Sequence, residues 1–203
     1  MNEKKERILE LSREIFLQEG FYKTSLDGIA QQLKISKKTI YKYFRSKDEL
    51  VRESILNFIQ LNQRNTSRFI SSEHNSVEKL FYMFNYVGKM LVKVSENYMK
   101  DIKNYMPDLW EEIDKNRTKI LYTNLKFIIE QGQSEGYFVD TQSDILVSTF
   151  IVSIRGIMNP DTLISNKLAP AKALDSIVEI LLNGILTEKG RKIFRKLKSG
   201  ESK

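Results

Sequence analysis

The sequence predicts an all-helical protein, and three observations lead to this fold class. Apolar residues recur every three or four positions along most of the 203 residues, the spacing that places them on one face of a helix. Glycine and proline, which interrupt helices, number only 9 and 3. Runs that alternate apolar and polar residues, which are typical of half-buried strands, are absent from the sequence.

The first helix is predicted over residues 3 to 19, where Ile8, Leu11 and Ile15 form an apolar stripe. Gly20 should end this helix in a left-handed conformation, and Phe21 should then fold back onto the core. This helix is expected to support the segment that follows it.

The next stretch, up to residue 50, contains three helical segments joined by two tight breaks. Thr24 and Ser25 can cap the first segment, and Ser36 can cap a second helix from Lys37 to Phe44. The sequence Ser-Lys-Asp-Glu at 46–49 is a capping box that opens a third helix. Two short helices separated by a tight turn are the pattern of a helix-turn-helix motif.

The second of these helices has the surface expected of a DNA reader. Ile40 and Phe44, four positions apart, face inward, which leaves other side chains outward. The outward side chains are Lys37, Lys38, Tyr41 and Lys42. From Lys34 to Lys47 there are six basic residues and no acidic one. Because a recognition helix reads base edges with its N-terminal residues, this surface favours DNA binding over a merely solvated basic face.

Between roughly residues 8 and 50 the sequence resembles the TetR family of bacterial transcriptional regulators. The resemblance rests on Ile8-Leu9, Ile15-Phe16, Gly20-Phe21, Thr24-Ser25, Ile29-Ala30, Ser36-Lys37, Thr39-Ile40-Tyr41 and Tyr43-Phe44, followed by Lys47 and Leu50. The sequence departs from the family at Lys34 and Lys38, where glycine is usual. A lysine in a left-handed turn costs ~1 kcal/mol, so some remodelling of the turn is expected.

The resemblance implies a set of DNA-binding residues. We expect Lys42 to meet a base edge, and Tyr41, Tyr43 and Lys47 to hold phosphates. The full predicted set is Thr24, Ser25, Ser36, Lys37, Lys38, Thr39, Tyr41, Lys42, Tyr43 and Lys47. The net charge of +7 agrees with a polyanionic partner without naming its sequence.

The same resemblance divides the chain into two domains. Residues 1–48 are expected to be the DNA-binding domain, and residues 49–203 a helical domain for ligand binding and dimerisation. Within the second, we predict a helix from Ser76 to about Tyr98, an irregular piece at 101–106 and a helix from Pro107 to Gly136.

Two later helices, at 144–158 and 171–186, are apolar nearly all round and must be buried on more than one side. They could form the middle of one domain, but a two-fold interface with a second copy is favoured, since two-fold symmetry suits a reader with one short recognition helix. The predicted interface residues are Phe150, Ile154, Leu174, Val178, Leu181, Leu182 and Ile185.

Methionine and aromatic side chains in the second domain could line a pocket, although for any one of them an ordinary core position is the better interpretation. The resemblance implies a small inducer in this domain, and we expect a mainly hydrophobic one. The predicted walls are Phe84, Met99, Tyr105, Trp110, Tyr122, Phe150 and Arg155. Arg155 needs a partner, either an acidic residue of the fold or a carboxylate of the ligand.

Other kinds of site are not indicated. The chain has no cysteine, one histidine (His74) and no Gly-rich phosphate loop, so we expect no metal, no cofactor, no catalytic residues and no enzymatic activity. No signal peptide is indicated, and the longest uncharged apolar run, Ile145 to Ile154, is too short to span a bilayer. A cytoplasmic, soluble protein without membrane contact is therefore expected.

These observations together predict a homodimeric repressor that is released from a palindromic DNA operator by a small hydrophobic ligand. One alternative is a regulator of the same fold that has no ligand and responds to a partner protein or to its own abundance. An enzyme fused to a DNA-binding module is disfavoured because no catalytic set is found.

Overall fold

A computed structural model describes residues 3–200. Residues 1 and 2 of the predicted first domain and residues 201–203 of the predicted second domain lie outside the described residues. The described residues form eleven helices: α1 Glu3–Glu19, α2 Leu26–Leu33, α3 Lys37–Tyr41, α4 Lys47–Ile70, α5 Ser76–Leu91, α6 Glu96–Tyr105, α7 Pro107–Ser134, α8 Ser143–Ile157, α9 Pro160–Ser165, α10 Pro170–Ile185 and α11 Glu188–Ser199. Within them, β-type pairing is limited to an isolated bridge between Phe138 and Leu186. The predicted all-α class is confirmed.

The chain divides into two compact units, and each unit combines segments that are separated in the sequence. The first unit combines the N-terminal segment, up to Asn62, with Lys93–Ile113; the second combines Gln63–Val92 with the residues from Asp114 onward. Helices α4 and α7 therefore each contribute residues to both units. The predicted boundary at residues 48 and 49 stays a prediction about functional domains.

The first unit has its core between α1 and the helix-turn-helix segment. Phe16, Ile29 and Ile40 are fully buried, and Phe44 is nearly so. Gly20 ends α1 with φ +84°, as predicted, and a Cβ at this position would lie 2.5 Å from a carboxylate oxygen of Asp101 in α6. Only glycine allows both this backbone conformation and this close approach.

The predicted helix from Ser76 to Tyr98 and the irregular piece after it were wrong. Helix α5 ends at Leu91, and most of the piece predicted to be irregular belongs to α6. The Ser95 hydroxyl accepts a hydrogen bond from the Tyr98 N–H at 3.1 Å and so caps α6. The Ser95 N–H donates to the carbonyl of Leu17 at 2.8 Å. This bond joins distant parts of the chain, and the local apolar pattern carries no sign of it.

In the second unit, α5 packs against α10 and α11, and α8 packs against α10. Phe84 of α5 and Phe150 of α8 lie parallel, with their ring centroids 6.1 Å apart. Gly132 in α7 allows the Phe138 ring to approach, since a Cβ there would lie 2.2 Å from it. Among residues 3–200, no helix has the length and apolar character needed to cross a membrane.

Candidate nucleic-acid interface

The turn between α2 and α3 is built from local hydrogen bonds. Ser25 caps α2 by accepting from the Gly28 N–H at 3.0 Å. At the other end, Lys34 has φ 55° in the left-handed region, and the Ile35 N–H donates to the Ala30 carbonyl at 3.0 Å. The turn therefore keeps its left-handed conformation at Lys34, and the Cβ of this lysine adds a steric cost.

Helix α3 begins at a capped residue and presents its first turn to solvent. The Ser36 hydroxyl accepts from the Thr39 N–H at 3.1 Å, as predicted, and lies 2.9 Å from the Thr39 hydroxyl. The regular helix ends at Tyr41 rather than at Phe44, although Ile40 and Phe44 both face the core as expected. Ile40 packs into the core beneath α3, and this contact determines which face of the helix is turned to solvent.

None of the ten residues predicted to bind DNA is buried. Six are exposed, namely Ser25, Ser36, Lys37, Lys38, Tyr41 and Lys42. Four are half-buried, namely Thr24, Thr39, Tyr43 and Lys47. The exposed six therefore supply most of the surface that a DNA groove could meet.

The exposed lysines of this surface differ in their partners. The Lys37 ammonium lies 2.8 Å from a carboxylate oxygen of Asp27, and this hydrogen bond raises the pKa of Lys37 above its ordinary value. Lys38 and Lys42 form no ion pair with any other residue that the structure describes. Their positive charges are thus available to phosphates or base edges without first breaking a contact.

Lys47 and Thr24 hold the turn after α1. The Lys47 ammonium donates to the Tyr22 carbonyl at 3.0 Å, and burial lowers the pKa of this lysine despite the nearby carboxylates of Asp48 and Asp101. The Thr24 hydroxyl donates to the Gly20 carbonyl at 2.7 Å. Both residues position the helix-turn-helix segment, whatever contact they also make with DNA.

Sequence reasoning missed the contacts that anchor this turn. The Tyr22 and Tyr105 rings stack with centroids 4.2 Å apart, and the Tyr22 N–H donates to Asp101 at 2.8 Å. Glu49 receives the Arg45 N–H, not the Ser46 N–H that a full capping box would use. Tyr105 and Asp101, the two partners of Tyr22, have no local sequence signal, because about 80 residues separate them from it.

The seven residues predicted to line a ligand pocket do not come together in one unit. Met99, Tyr105 and Trp110 belong to the first unit, and the other four belong to the second. A groove of about 350 Å³ in the second unit is lined by only one of the seven, Phe84. Tyr122 is exposed, with its hydroxyl 3.3 Å from Asp144.

Arg155 is exposed, and of the two partners considered for it, the structure shows an acidic residue of the fold. Its guanidinium lies 2.6 Å from Asp114, which also accepts from Arg117. Burial alone would raise the pKa of Asp114, but the hydrogen bonds from Arg155 and Arg117 outweigh it, so the pKa lies below its ordinary value.

Most of the residues predicted for a dimer interface are buried within the single chain. Six are buried there, namely Phe150, Ile154, Leu174, Val178, Leu182 and Ile185, whereas Leu181 is half-buried. The apolar surface that α8 and α10 still offer comes from other residues. Val152 is 70% exposed and Ile180 is 71% exposed.

The described part of the chain contains no group of three or more His, Asp or Glu side chains that could hold a metal ion. The single histidine, His74, stacks on Phe69 and lies 3.4 Å from Glu78.

A short helix with exposed, unpaired lysines, held by a capped turn on an apolar core, defines a helix-turn-helix DNA-binding transcriptional regulator. Residues 8–54 match the family model described as bacterial regulatory proteins of the tetR family. An uncharacterized HTH-type transcriptional regulator of Bacillus subtilis, YvaF, is 25% identical over 183 residues, which are 90% of this chain and 95% of that protein. Over residues 8–54 the chain is therefore similar to the regulators of the TetR family.

Solved structures show the same fold over nearly the whole chain. A transcriptional regulator of the TetR family from Agrobacterium tumefaciens has a TM-score of 0.67 and 18% identity, and the match covers 91% of this chain and 98% of that one. A protein from Saccharomonospora viridis, in complex with choline, has the same TM-score and identity, with 93% and 100% covered.

Proposed function

We propose that this regulator is a homodimeric repressor that binds a palindromic DNA operator and leaves it when a small hydrophobic molecule binds the second unit. The observation that carries the DNA part is the surface of α3, where Lys38 and Lys42 are exposed and unpaired within the described residues above a fully buried Ile40. Such a protein would act in the cytoplasm, where its operator lies.

On the DNA, the roles divide by position on the helix. We assign Lys42 to a base edge in the major groove, and Tyr41, Tyr43 and Lys38 to phosphates. Lys37 would exchange its ion pair with Asp27 for a phosphate, so its net gain should be smaller than that of Lys38. Lys47 contributes chiefly by fixing the turn at Tyr22.

Dimerisation would use the outward faces of α8 and α10. Val152 and Gly156 on α8 are four positions apart, as are Ile180 and Gly184 on α10, so each pair lies on one face of its helix. A Cβ added at either glycine would meet nothing within 4 Å, which leaves room for a second copy to approach closely. A two-fold pair of readers would favour an inverted-repeat operator.

Ligand release is supported by the family's fold and by the choline complex of the Saccharomonospora viridis protein, which places a small organic molecule in a chain of this architecture. A ligand lowers operator affinity only if it binds better to the form that cannot seat both readers on DNA. The site is expected in the second unit, which contains the groove lined by Phe84.

The test is selection of bound DNA from a random pool with the full chain. We expect the recovered sequences to share an inverted repeat, and Lys42→Ala to relax base preference at one position of each half-site. The control is Lys172→Ala, an exposed lysine on α10, which should leave the recovered sequence unchanged. Recovery of DNA without any common motif would refute operator recognition, and a single half-site would refute the palindrome.

A further inference from the structure

A carboxylate lies within the surface that is proposed to face DNA. Residues 24–47 contain six basic side chains and a single acidic one, Asp27. Asp27 belongs to the first turn of α2, and the ammonium of Lys37, the first residue of α3, lies 2.8 Å from its Oδ2 atom. Both side chains are open to solvent, with exposed fractions of 68% for Asp27 and 45% for Lys37. An acidic side chain is thus held among the cations of the helix-turn-helix segment.

The pair brings no net charge to DNA, whichever contact Lys37 makes there. If Lys37 keeps its contact with Asp27, its charge is not available to a phosphate. If Lys37 moves to a phosphate, the carboxylate is left nearby and repels the same polyanion. The Debye length is about 10 Å at 0.1 M salt, so a carboxylate in contact with Lys37 acts on any phosphate that Lys37 reaches. Asp27 therefore offsets one cation of each subunit.

The next residue shows what the pair removes. Lys38 is exposed and forms no ion pair with any other residue of the described part of the chain. A lysine of this kind can neutralise a phosphate and release a counterion, which contributes about −0.9 to the slope of log affinity against log salt concentration. Because the pair of Asp27 and Lys37 is neutral, its contribution to this slope is close to zero.

We propose that Asp27 limits the affinity of this regulator for DNA of every sequence by cancelling the charge of Lys37. Each subunit thereby makes one fewer effective phosphate contact, and base contacts supply a larger share of the binding free energy. The inference rests on the proposed contact of α3 with DNA.

The change Asp27→Asn removes the charge and keeps the size of the side chain. The cap of α2 is retained, because the Gly28 N–H donates to the Ser25 hydroxyl and not to Asp27. Lys37→Gln removes the opposite charge, and the double variant Asp27→Asn/Lys37→Gln restores a neutral pair. Asp175→Asn is the matched control, because it makes the same change in net charge at an exposed position of α10.

The experiment is fluorescence anisotropy of the full chain on a duplex of random sequence, over about 50 to 200 mM salt, with circular dichroism to confirm equal helical content. We expect Asp27→Asn to steepen the salt slope by about 0.9 per subunit. The affinity should rise about eightfold per subunit at about 0.1 M salt and should approach the wild-type value at about 1 M. Lys37→Gln should flatten the slope by the same amount, the double variant should match the wild type, and Asp175→Asn should leave the slope unchanged.

Three results would overturn the role of Asp27. The first is a salt slope that Asp27→Asn leaves unchanged, and the second is an equal change in slope with Asp175→Asn. The third is an altered base preference in the DNA that Asp27→Asn selects from a random pool, which would make Asp27 a reader of one base.

Lys38→Ala separates this inference from the proposed function. A wild-type chain that does not bind DNA, or whose salt slope Lys38→Ala leaves unchanged, would refute the DNA-binding surface and this inference with it. A slope that Lys38→Ala reduces but Asp27→Asn does not change would refute only the role of Asp27.

Discussion

Replacing Ile180 with aspartate should separate the proposed dimer without unfolding the chain. Ile180 is 71% exposed in the single chain. Complete burial of an isoleucine stabilises by about 1.5–3 kcal/mol, so burying this share contributes roughly 1–2 kcal/mol per subunit. Two-fold symmetry doubles the loss to roughly 2–4 kcal/mol, which weakens the dimer about 30- to 1,000-fold. The cost of burying two carboxylates adds to this figure.

The assay is sedimentation velocity over a range of micromolar concentrations, with circular dichroism to confirm helical content. Val92→Asp is the matched control, because Val92 is 75% exposed but lies outside the proposed interface. Leu182→Asp, at a position 2% exposed, should instead unfold the second unit. The reasoning fails if the wild-type chain sediments as a monomer, or if Ile180→Asp dimerises as tightly as the wild type.

Three further outcomes are expected. Fluorescence anisotropy should show that Lys42→Ala relaxes base choice at a cost of ~1–3 kcal/mol, whereas Lys38→Ala weakens all sequences alike and reduces the salt slope by about 1. Equal losses on every sequence for both variants would refute the division of roles. Lys34→Gly should raise the free energy of unfolding by about 1 kcal/mol in thermal melts, because glycine adopts φ 55° without strain, whereas Lys34→Ala should not. Asp114→Asn should lower the free energy of unfolding by about 1–3 kcal/mol at pH 7 in urea titrations. Because the pKa of Asp114 is lowered in the folded protein, the stabilisation by its carboxylate is complete above the ordinary pKa of 3.8 and is lost as the pH falls through the lower folded pKa. The free energies of unfolding of the two proteins should therefore converge in acid. A difference that stays constant with pH would contradict this.

The DNA-binding segment could be predicted because its determinants are local. The Ser25 and Ser36 caps each bond to an N–H three positions away, and Ile40 and Phe44 are one helical turn apart. Contacts of this range are fixed by the order of residue types, so the helices, the turn and the outer face of α3 follow from the sequence.

The second unit could be predicted only in outline. Its helices have apolar residues on several sides, so their pattern establishes burial without saying which side faces the chain itself. The structure resolves this on α10: Val178 and Leu182 face α5 and α11, and Ile180 faces outward. The predicted interface residues were therefore mostly those of the monomer core.

By itself, then, the sequence determined the helical class, the helix-turn-helix segment and its cationic face, because each depends on residues within about one helical turn. The tertiary structure alone decided that Asp114 pairs with Arg155, that Ser95 bonds to Leu17 after the end of α5, and which side of α10 stays exposed. The first two outcomes depend on groups brought together across 41 and 78 positions, and the third depends on the packing of α10 against α5. The local spacing of apolar residues does not identify such partners. Several faces of a helix can be similarly apolar, and only the packing of the folded chain determines which face contacts which neighbour.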